Sequence, residues 1–120
     1  MDLSYDAEEQ KFRLMVREFV AANLPDDLKA KSKAGQRWKK ADGVRWHKVL
    51  VEHGWGAPNW PKEHGGCAWT ASQLYIFEEE QAFAGCPPIS PFALKMVGPV
   101  IIAYGTREQK DRFLPPARNA

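Results

Sequence analysis

The stretch GWGAPNWPKEHGG, residues 54–66, decides how this sequence folds. Pro58 and Pro61 fix φ near −65° and lack an N–H, so neither a regular helix nor a central strand can run through them. Gly65 and Gly66 follow, and glycine can take the positive φ values that tight turns need. Two Trp and two Pro in so short a segment are too apolar for a solvated linker. We therefore expect a rigid loop that packs onto a core.

Outward from this loop, the chain of 120 residues reads as all-helical, with no sustained two-residue alternation. Asp6 and Glu9 have the spacing of a capping box, as do Thr106 and Gln109, and Thr70 is a further N-cap candidate. The predicted helices are five: Asp6 to Pro25, Asp42 to Gly54, Thr70 to Gly85 (expected to be largely buried), Phe92 to Tyr104 with a kink at Pro99, and Thr106 to Pro115. Residues 26–41 are predicted to be a polar, solvated connection.

Composition excludes several classes of function. The 17 basic and 15 acidic residues give a net charge of only +2, so a nucleic-acid partner is not expected. No apolar run reaches the length of a membrane span, and Cys67 and Cys86 without a secretory signal read as reduced thiols. These features favour a cytoplasmic location.

Few side chains have the spacing of a chemical site. His64 and Cys67 lie three residues apart, but a structural zinc site needs four ligands and no second close pair exists, so no metal is expected. Residues 78–80, all Glu, point in different directions on a helix and read as solvated or salt-bridged. One apolar pattern goes further, because its i, i+3, i+4, i+7 spacing suits either plain core or a ligand-facing surface. Its members are Ile89, Phe92, Ala93 and Met96.

The chain resembles the amino-terminal helical domain of the acyl-CoA dehydrogenase family over nearly its whole length. The markers occur in the family's order: the acidic helix start, Gly54-Trp55, Pro61 through Gly66, Glu79-Glu80, Gly98-Pro99, and Gly105-Thr106 through Leu114-Pro115. The resemblance implies an orthogonal bundle of about five helices spanning residues 1–120, with a middle β domain and a carboxyl-terminal helical domain absent. At two of these markers, the residues present here look closest to branches of the family that act on dicarboxylic, steroid-side-chain or other unusual acyl groups. They are Trp60-Pro61 and Phe113 to Pro116.

The resemblance also implies a reaction, in which an acyl-CoA thioester becomes a 2,3-enoyl-CoA as a glutamate removes the α proton and FAD receives the β hydride. The segments with the catalytic glutamate and the flavin contacts are missing, so no catalytic or cofactor-binding residue is assigned here. The matching positions in the wall of the acyl pocket are Ile89, Phe92, Ala93 and Met96.

The chain alone is expected to be inactive and to bind no FAD. Its parent enzyme would use an acyl-CoA, pass electrons to an acceptor and form a homo- or hetero-oligomer. The alternatives are a free-standing helical interaction module and a small acyl or lipid binder of the same fold.

Overall fold

A computed structural model describes residues 1–120 and contains helices and no strands. The all-helical prediction is confirmed, with six α-helices where about five were expected. They are α1 Ala7–Asn23, α2 Asp26–Lys33, α3 Lys40–Glu52, α4 Ala71–Ala84, α5 Gly98–Tyr104 and α6 Arg107–Arg118. A single 3₁₀ turn spans Lys62–His64, and a π-helical turn spans Phe92–Val97 immediately before α5.

The helix starts follow the capping chemistry. Asp6 accepts a hydrogen bond from the Glu9 backbone at 2.8 Å and donates its own N–H to the Glu9 carboxylate at 3.0 Å. Thr70 caps α4 and Thr106 caps α6 in the same reciprocal way. Each box supplies partners to N–H groups that a helix start otherwise leaves unpaired. At the other end of α4, Gly85 ends the helix as predicted, and it takes the left-handed conformation.

Two predictions between residues 26 and 42 are wrong. The expected polar connection contains α2, which begins directly after Pro25, with acidic residues in its first turn and Lys31 and Lys33 in its last. That distribution of charge suits the helix dipole. The next helix begins at Lys40 rather than after Asp42, which lies within its first turn and accepts the Lys39 backbone N–H at 2.7 Å.

The last helix does not end at Pro115, contrary to the prediction. Pro115 and Pro116 lie inside α6, and the ladder resumes with the Asn119 N–H donating to the Pro115 carbonyl at 3.0 Å. Proline inside a helix removes a hydrogen bond and disfavours it. Leu114 and Ala117 pack into an apolar cluster on either side of the two prolines, and this burial offsets the loss.

The chain forms two compact units. The first unit comprises residues 1–37 and 69–86 and contains α1, α2 and α4. Its buried residues include Val16 and Val20 of α1 and Ile76 and Phe77 of α4. Helix α4 is less buried than predicted, because the aromatic side chains on its outer face, Tyr75 and Phe83, are 60% and 73% exposed.

A buried carboxylate joins α4 to α1 in the first unit. Glu80 is 3% exposed and accepts hydrogen bonds from Arg13 at 2.7 Å and from Arg17 at 2.8 and 3.0 Å. Arg13 also donates to Glu79 at 2.7 Å. The glutamates were predicted to be solvated or salt-bridged, and Glu79 and Glu80 are salt-bridged, although the burial of Glu80 was not expected. These bonds lower the pKa of Glu80, with the Arg17 contact the largest cause.

The second unit comprises residues 38–68 and 87–120. Its core is Ala57, Trp60, Leu94 and Leu114, with Ile89, Ile101, Ile102 and Ala117 packed against it. The predicted packing of the 54–66 loop onto a core is thus confirmed. Gly65 has φ +97°, whereas Gly66 is required for a different reason, since a Cβ there would lie 1.5 Å from the Trp60 carbonyl oxygen.

Candidate functional site

The π turn Phe92–Val97 is the irregular element of the second unit. The Gly98 N–H donates to Ala93, five residues back, and Pro99 has no N–H to offer the next carbonyl, that of Leu94. The Trp60 indole donates to that carbonyl at 2.7 Å, and the Asn59 side-chain amide donates at 3.3 Å. The expected kink at Pro99 is therefore a π turn, whose displaced carbonyl is satisfied by the 54–66 loop.

The contact between Trp60 and the helix backbone also depends on a glycine at position 98. A Cβ on Gly98 would lie 2.4 Å from Cζ2 of Trp60, far inside van der Waals contact. The indole therefore approaches the helix backbone closely only because residue 98 is glycine. We refer to Trp60, Leu94 and Gly98 as the tryptophan joint; it sets the position of the π turn relative to the loop.

A recess of about 550 Å³ opens beside this turn in the second unit. Three segments contribute its walls: the beginning of α3, the proline-rich segment that leads into the π turn, and the end of α6. The lining residues are 38–40, Gly43, Val44 and His47 from the first segment, 88–94 from the second, and Pro116, Ala117 and Ala120 from the third. A volume of this size falls in the range of small-molecule sites.

A close backbone approach sets one side of the recess. A Cβ on Gly43 would lie 2.6 Å from the Pro88 carbonyl oxygen, so the glycine lets α3 and the proline-rich segment come together.

The polar groups of the recess are mostly basic. Lys39 and Lys40 are exposed at its edge, and His47 is buried within its wall. The Nε2–H of His47 donates to the Gly56 carbonyl at 2.7 Å. Burial lowers the pKa of His47 below its ordinary 6.5, and the bond to Gly56 opposes that change. His47 is therefore neutral at physiological pH and contributes a planar, weakly polar surface.

The structure brings three of the four predicted pocket residues to this recess. Ile89, Phe92 and Ala93 line it, whereas Met96 does not. The helix starts at Pro91 rather than a turn earlier, and the π turn alters the spacing, so the expected single stripe does not form. Substrate binding by these four residues stays a prediction.

The π turn and α5 also carry an uncovered apolar surface. The large side chains exposed along them are Phe92, Met96, Val97, Val100 and Tyr104, each more than half exposed. Apolar surface of this extent on one short segment is typical of a contact with protein or ligand. We call these five residues the exposed helix face.

The remaining candidates from the sequence are metal-ligating side chains and the two cysteine thiols. No group of three or more His, Cys, Asp or Glu side chains is placed to hold a metal ion. Cys67 donates its thiol to the Gly54 carbonyl at 3.4 Å, and burial raises the pKa of Cys86 to about 12, which disfavours a reactive thiolate. None of the helices combines the length and apolar character needed to cross a bilayer.

Sequence reasoning missed the α3 and α6 walls of the recess. The sequence predicts only a polar, solvated connection for residues 26–41, which include Lys39 and Lys40, and no local motif singles out His47. Since the three walls are far apart along the chain, no local spacing signals that they meet.

The chain matches the family model for the acyl-CoA dehydrogenase N-terminal domain over residues 6–119. Acyl-CoA dehydrogenase IpdE1 from Mycolicibacterium smegmatis is 35% identical over 113 residues, which are 90% of this chain and 29% of that protein. The ChsE4-ChsE5 complex from Mycobacterium tuberculosis has a similar structure, with a TM-score of 0.78 and 30% identity over 99% of this chain and 30% of the solved one. A structure described as the Tcur3481-Tcur3483 steroid ACAD gives a TM-score of 0.81 at the same identity and coverage.

The chain thus spans about 30% of the length of the relatives it matches. The family model, the sequence relatives and the structural neighbours agree over nearly all of its own length. By these matches, the chain belongs to the acyl-CoA dehydrogenase family and corresponds to its N-terminal domain.

Proposed function

We propose that this chain is the N-terminal domain of an FAD-dependent enzyme that oxidises an acyl-CoA thioester to the 2,3-enoyl-CoA. In this proposal the domain supplies part of the wall of the acyl pocket. The observation that carries it is the recess, because Ile89, Phe92 and Ala93, assigned to the acyl pocket by family resemblance, line one cavity of ligand size. Apolar and aromatic walls with a few polar groups are what a thioester's acyl chain requires.

The family resemblance assigns the flavin contacts to segments outside this chain. Within the chain, no buried side-chain nitrogen or oxygen lacks a hydrogen-bond partner, so its interior offers no unpaired polar group to a flavin ring or a pyrophosphate. We therefore assign FAD and the catalytic glutamate to segments that correspond to the rest of the relatives' length. The contribution of this domain is to bind and orient the acyl group and to keep water away from it.

The exposed helix face has a place in the same proposal. An apolar surface in water costs free energy in proportion to its area, and covering it recovers that cost. We infer that the remaining domains of the enzyme, or the acyl group itself, cover Val97, Val100 and Tyr104. The assembly would be an oligomer that passes electrons to a separate acceptor.

The test is acyl-CoA-dependent reduction of an artificial electron acceptor by the protein expressed from its complete native reading frame. We expect a bound-flavin absorption spectrum and turnover. Phe92→Ala should lower kcat/KM about tenfold, since a truncated contact in an apolar pocket costs roughly 1–3 kcal/mol. Phe83→Ala is the matched control, because Phe83 is similarly exposed (73%, against 67% for Phe92) but lies in the first unit.

The alternatives predict other results. A small acyl binder would hold acyl-CoA with no flavin and no turnover, and the recess is the feature that favours it. An interaction module would bind neither. Equal kcat/KM for the two Phe variants would remove the pocket assignment even if the enzyme proved active.

A further inference from the structure

The recess carries a specific arrangement of charge. Lys39 and Lys40 are consecutive, both exposed, and both line it. The carboxylate of Asp42 accepts the Lys39 backbone N–H at 2.7 Å. No side chain that lines the recess is acidic. The charged side chains at the edge of the cavity are therefore both positive.

The rest of the lining is apolar or neutral. Ile89, Phe92, Ala93 and Val44 provide hydrocarbon surface, and burial keeps His47 uncharged. A ligand that matches both parts needs an apolar body and an anionic group a short distance from it. A purely hydrocarbon chain would form no ion pair with the two ammonium groups. A compact anion would leave the apolar walls exposed to water.

We propose that this recess selects acyl groups that carry a carboxylate at the end remote from the thioester, with Lys39 and Lys40 as the specificity-determining residues. The inference rests on the proposed function and names its substrate class. Ammonium groups are mobile point charges, so the pair can follow a carboxylate over a range of chain lengths. The acyl group alone would then make both contacts, with its hydrocarbon part against the apolar walls and its carboxylate near the two lysines.

The phosphates of coenzyme A are the other source of negative charge. They are separated from the acyl chain by the long pantetheine arm, so they would reach the lysines only if that arm filled the recess instead. The two arrangements make opposite predictions for free coenzyme A, which has the phosphates and no acyl carboxylate.

The experiment uses the complete enzyme and the double variant Lys39→Gln/Lys40→Gln. The substrates are an ω-carboxyacyl-CoA and the unsubstituted acyl-CoA of the same chain length. We expect kcat/KM for the carboxylated substrate to fall about fivefold or more, as expected for two partly solvated ion pairs. The value for the plain substrate should change less than about twofold, and added salt should reduce the difference between substrates.

Lys11→Gln/Lys33→Gln is the matched control, because it removes the same charge at exposed positions of the first unit. It should leave both substrates unaffected. An equal loss for both substrates, or weakened inhibition by free coenzyme A, would overturn the inference in favour of a phosphate contact. Unchanged kinetics for both substrates would overturn it outright.

Calorimetric binding separates this inference from the proposed function. If the wild-type protein turns over neither substrate, the proposed function fails, while the affinity for the two thioesters still tests the lysines. Tighter binding of the carboxylated thioester that disappears in Lys39→Gln/Lys40→Gln supports the inference. Equal affinity of the wild-type protein for both thioesters contradicts it.

Discussion

The two units satisfy a buried polar group from a distant part of the chain, but they do so in different ways. In the first unit, Glu80 of the regular helix α4 is held by two guanidinium groups of α1. In the second, the Leu94 carbonyl is displaced from the helix ladder and held by Trp60. The charged network completes itself within regular helices. The tryptophan joint instead stabilises an irregular turn beside a recess and an exposed apolar face.

The largest expected effect is on the charged network. Glu80→Gln keeps the size of the side chain and removes the charge that Arg13 and Arg17 share. Arg13 keeps its bond to Glu79 and Arg17 is 56% exposed, so the main cost is the weakening of three charge-assisted hydrogen bonds to a buried side chain. We expect the free energy of unfolding to fall by about 3 kcal/mol at neutral pH. Denaturant unfolding followed by helical circular dichroism measures it.

Glu78→Gln is the control on the same helix, since Glu78 is exposed. It should change stability by less than about 0.5 kcal/mol. If Glu80→Gln were as mild as Glu78→Gln, the network would be an incidental contact, and the contrast drawn between the two units would be wrong.

A smaller loss is expected at the tryptophan joint. Trp60→Phe keeps an aromatic ring and removes the indole N–H, so the Leu94 carbonyl retains only the longer contact from Asn59. Leaving a buried acceptor without its partner costs roughly 1–3 kcal/mol. Amide hydrogen exchange should show faster exchange within the π turn, which global unfolding alone would not reveal.

Asn59→Ala sharpens this result. Its amide is 3.3 Å from the same carbonyl and its side chain is exposed, so its removal should cost well under about 1 kcal/mol. Equal losses for the two variants would mean that the indole bond is not what holds the turn.

The same local interaction, a threonine N-cap, occurs once in each unit and allows the two units to be compared directly. Thr70 and Thr106 each accept a hydrogen bond at 3.2 Å and each donate their N–H at 2.9 Å to a Gln three residues on. Replacing either by Ala should therefore cost about 1 kcal/mol. The matched measurement is the unfolding midpoint of the two single variants. A difference well above about 1 kcal/mol between them would show that the surroundings, rather than the local geometry, set the value of a cap.

The same distinction explains how much of the fold the sequence predicts. A cap and its partner are three residues apart, so the starts of the helices at Asp6, Thr70 and Thr106 could be predicted from local spacing. The partners of Glu80 lie 63 and 67 residues away, and that of the Leu94 carbonyl lies 34 residues away. No local pattern signals such pairings.

Two errors in the predicted elements have a related origin. The pattern after Pro25 is too polar to show an apolar stripe, yet Leu28 is 1% exposed and tertiary packing stabilises α2 around it. Propensity alone opposes proline in a helix and predicts an end at Pro115, whereas burial of Leu114 and Ala117 keeps the helix intact. Only part of the recess could be predicted. Its proline-rich wall is contiguous in sequence, whereas the walls from α3 and α6 come from distant parts of the chain.

The smallest expected effect is a pH dependence that distinguishes the units. Because burial lowers the pKa of His47 in the folded state, the unfolded chain takes up a proton first as the pH falls below 6.5. Stability should therefore decline from about pH 6.5 downward. Glu80 behaves differently, since its folded pKa lies below the ordinary 4.5, and its contribution should persist until the pH falls below that value.

The measurement is the free energy of unfolding against pH for the parent chain, His47→Gln and Glu80→Gln. His47→Gln keeps an amide donor for the Gly56 carbonyl and cannot titrate, so the decline near pH 6 should flatten while the fall below 4.5 remains. Glu80→Gln should show the reverse. We expect the histidine effect to be small because the bond to Gly56 opposes burial in setting the pKa. If the profile of His47→Gln were unchanged, the loss of stability near pH 6 would come from other groups, and His47 would not be its cause.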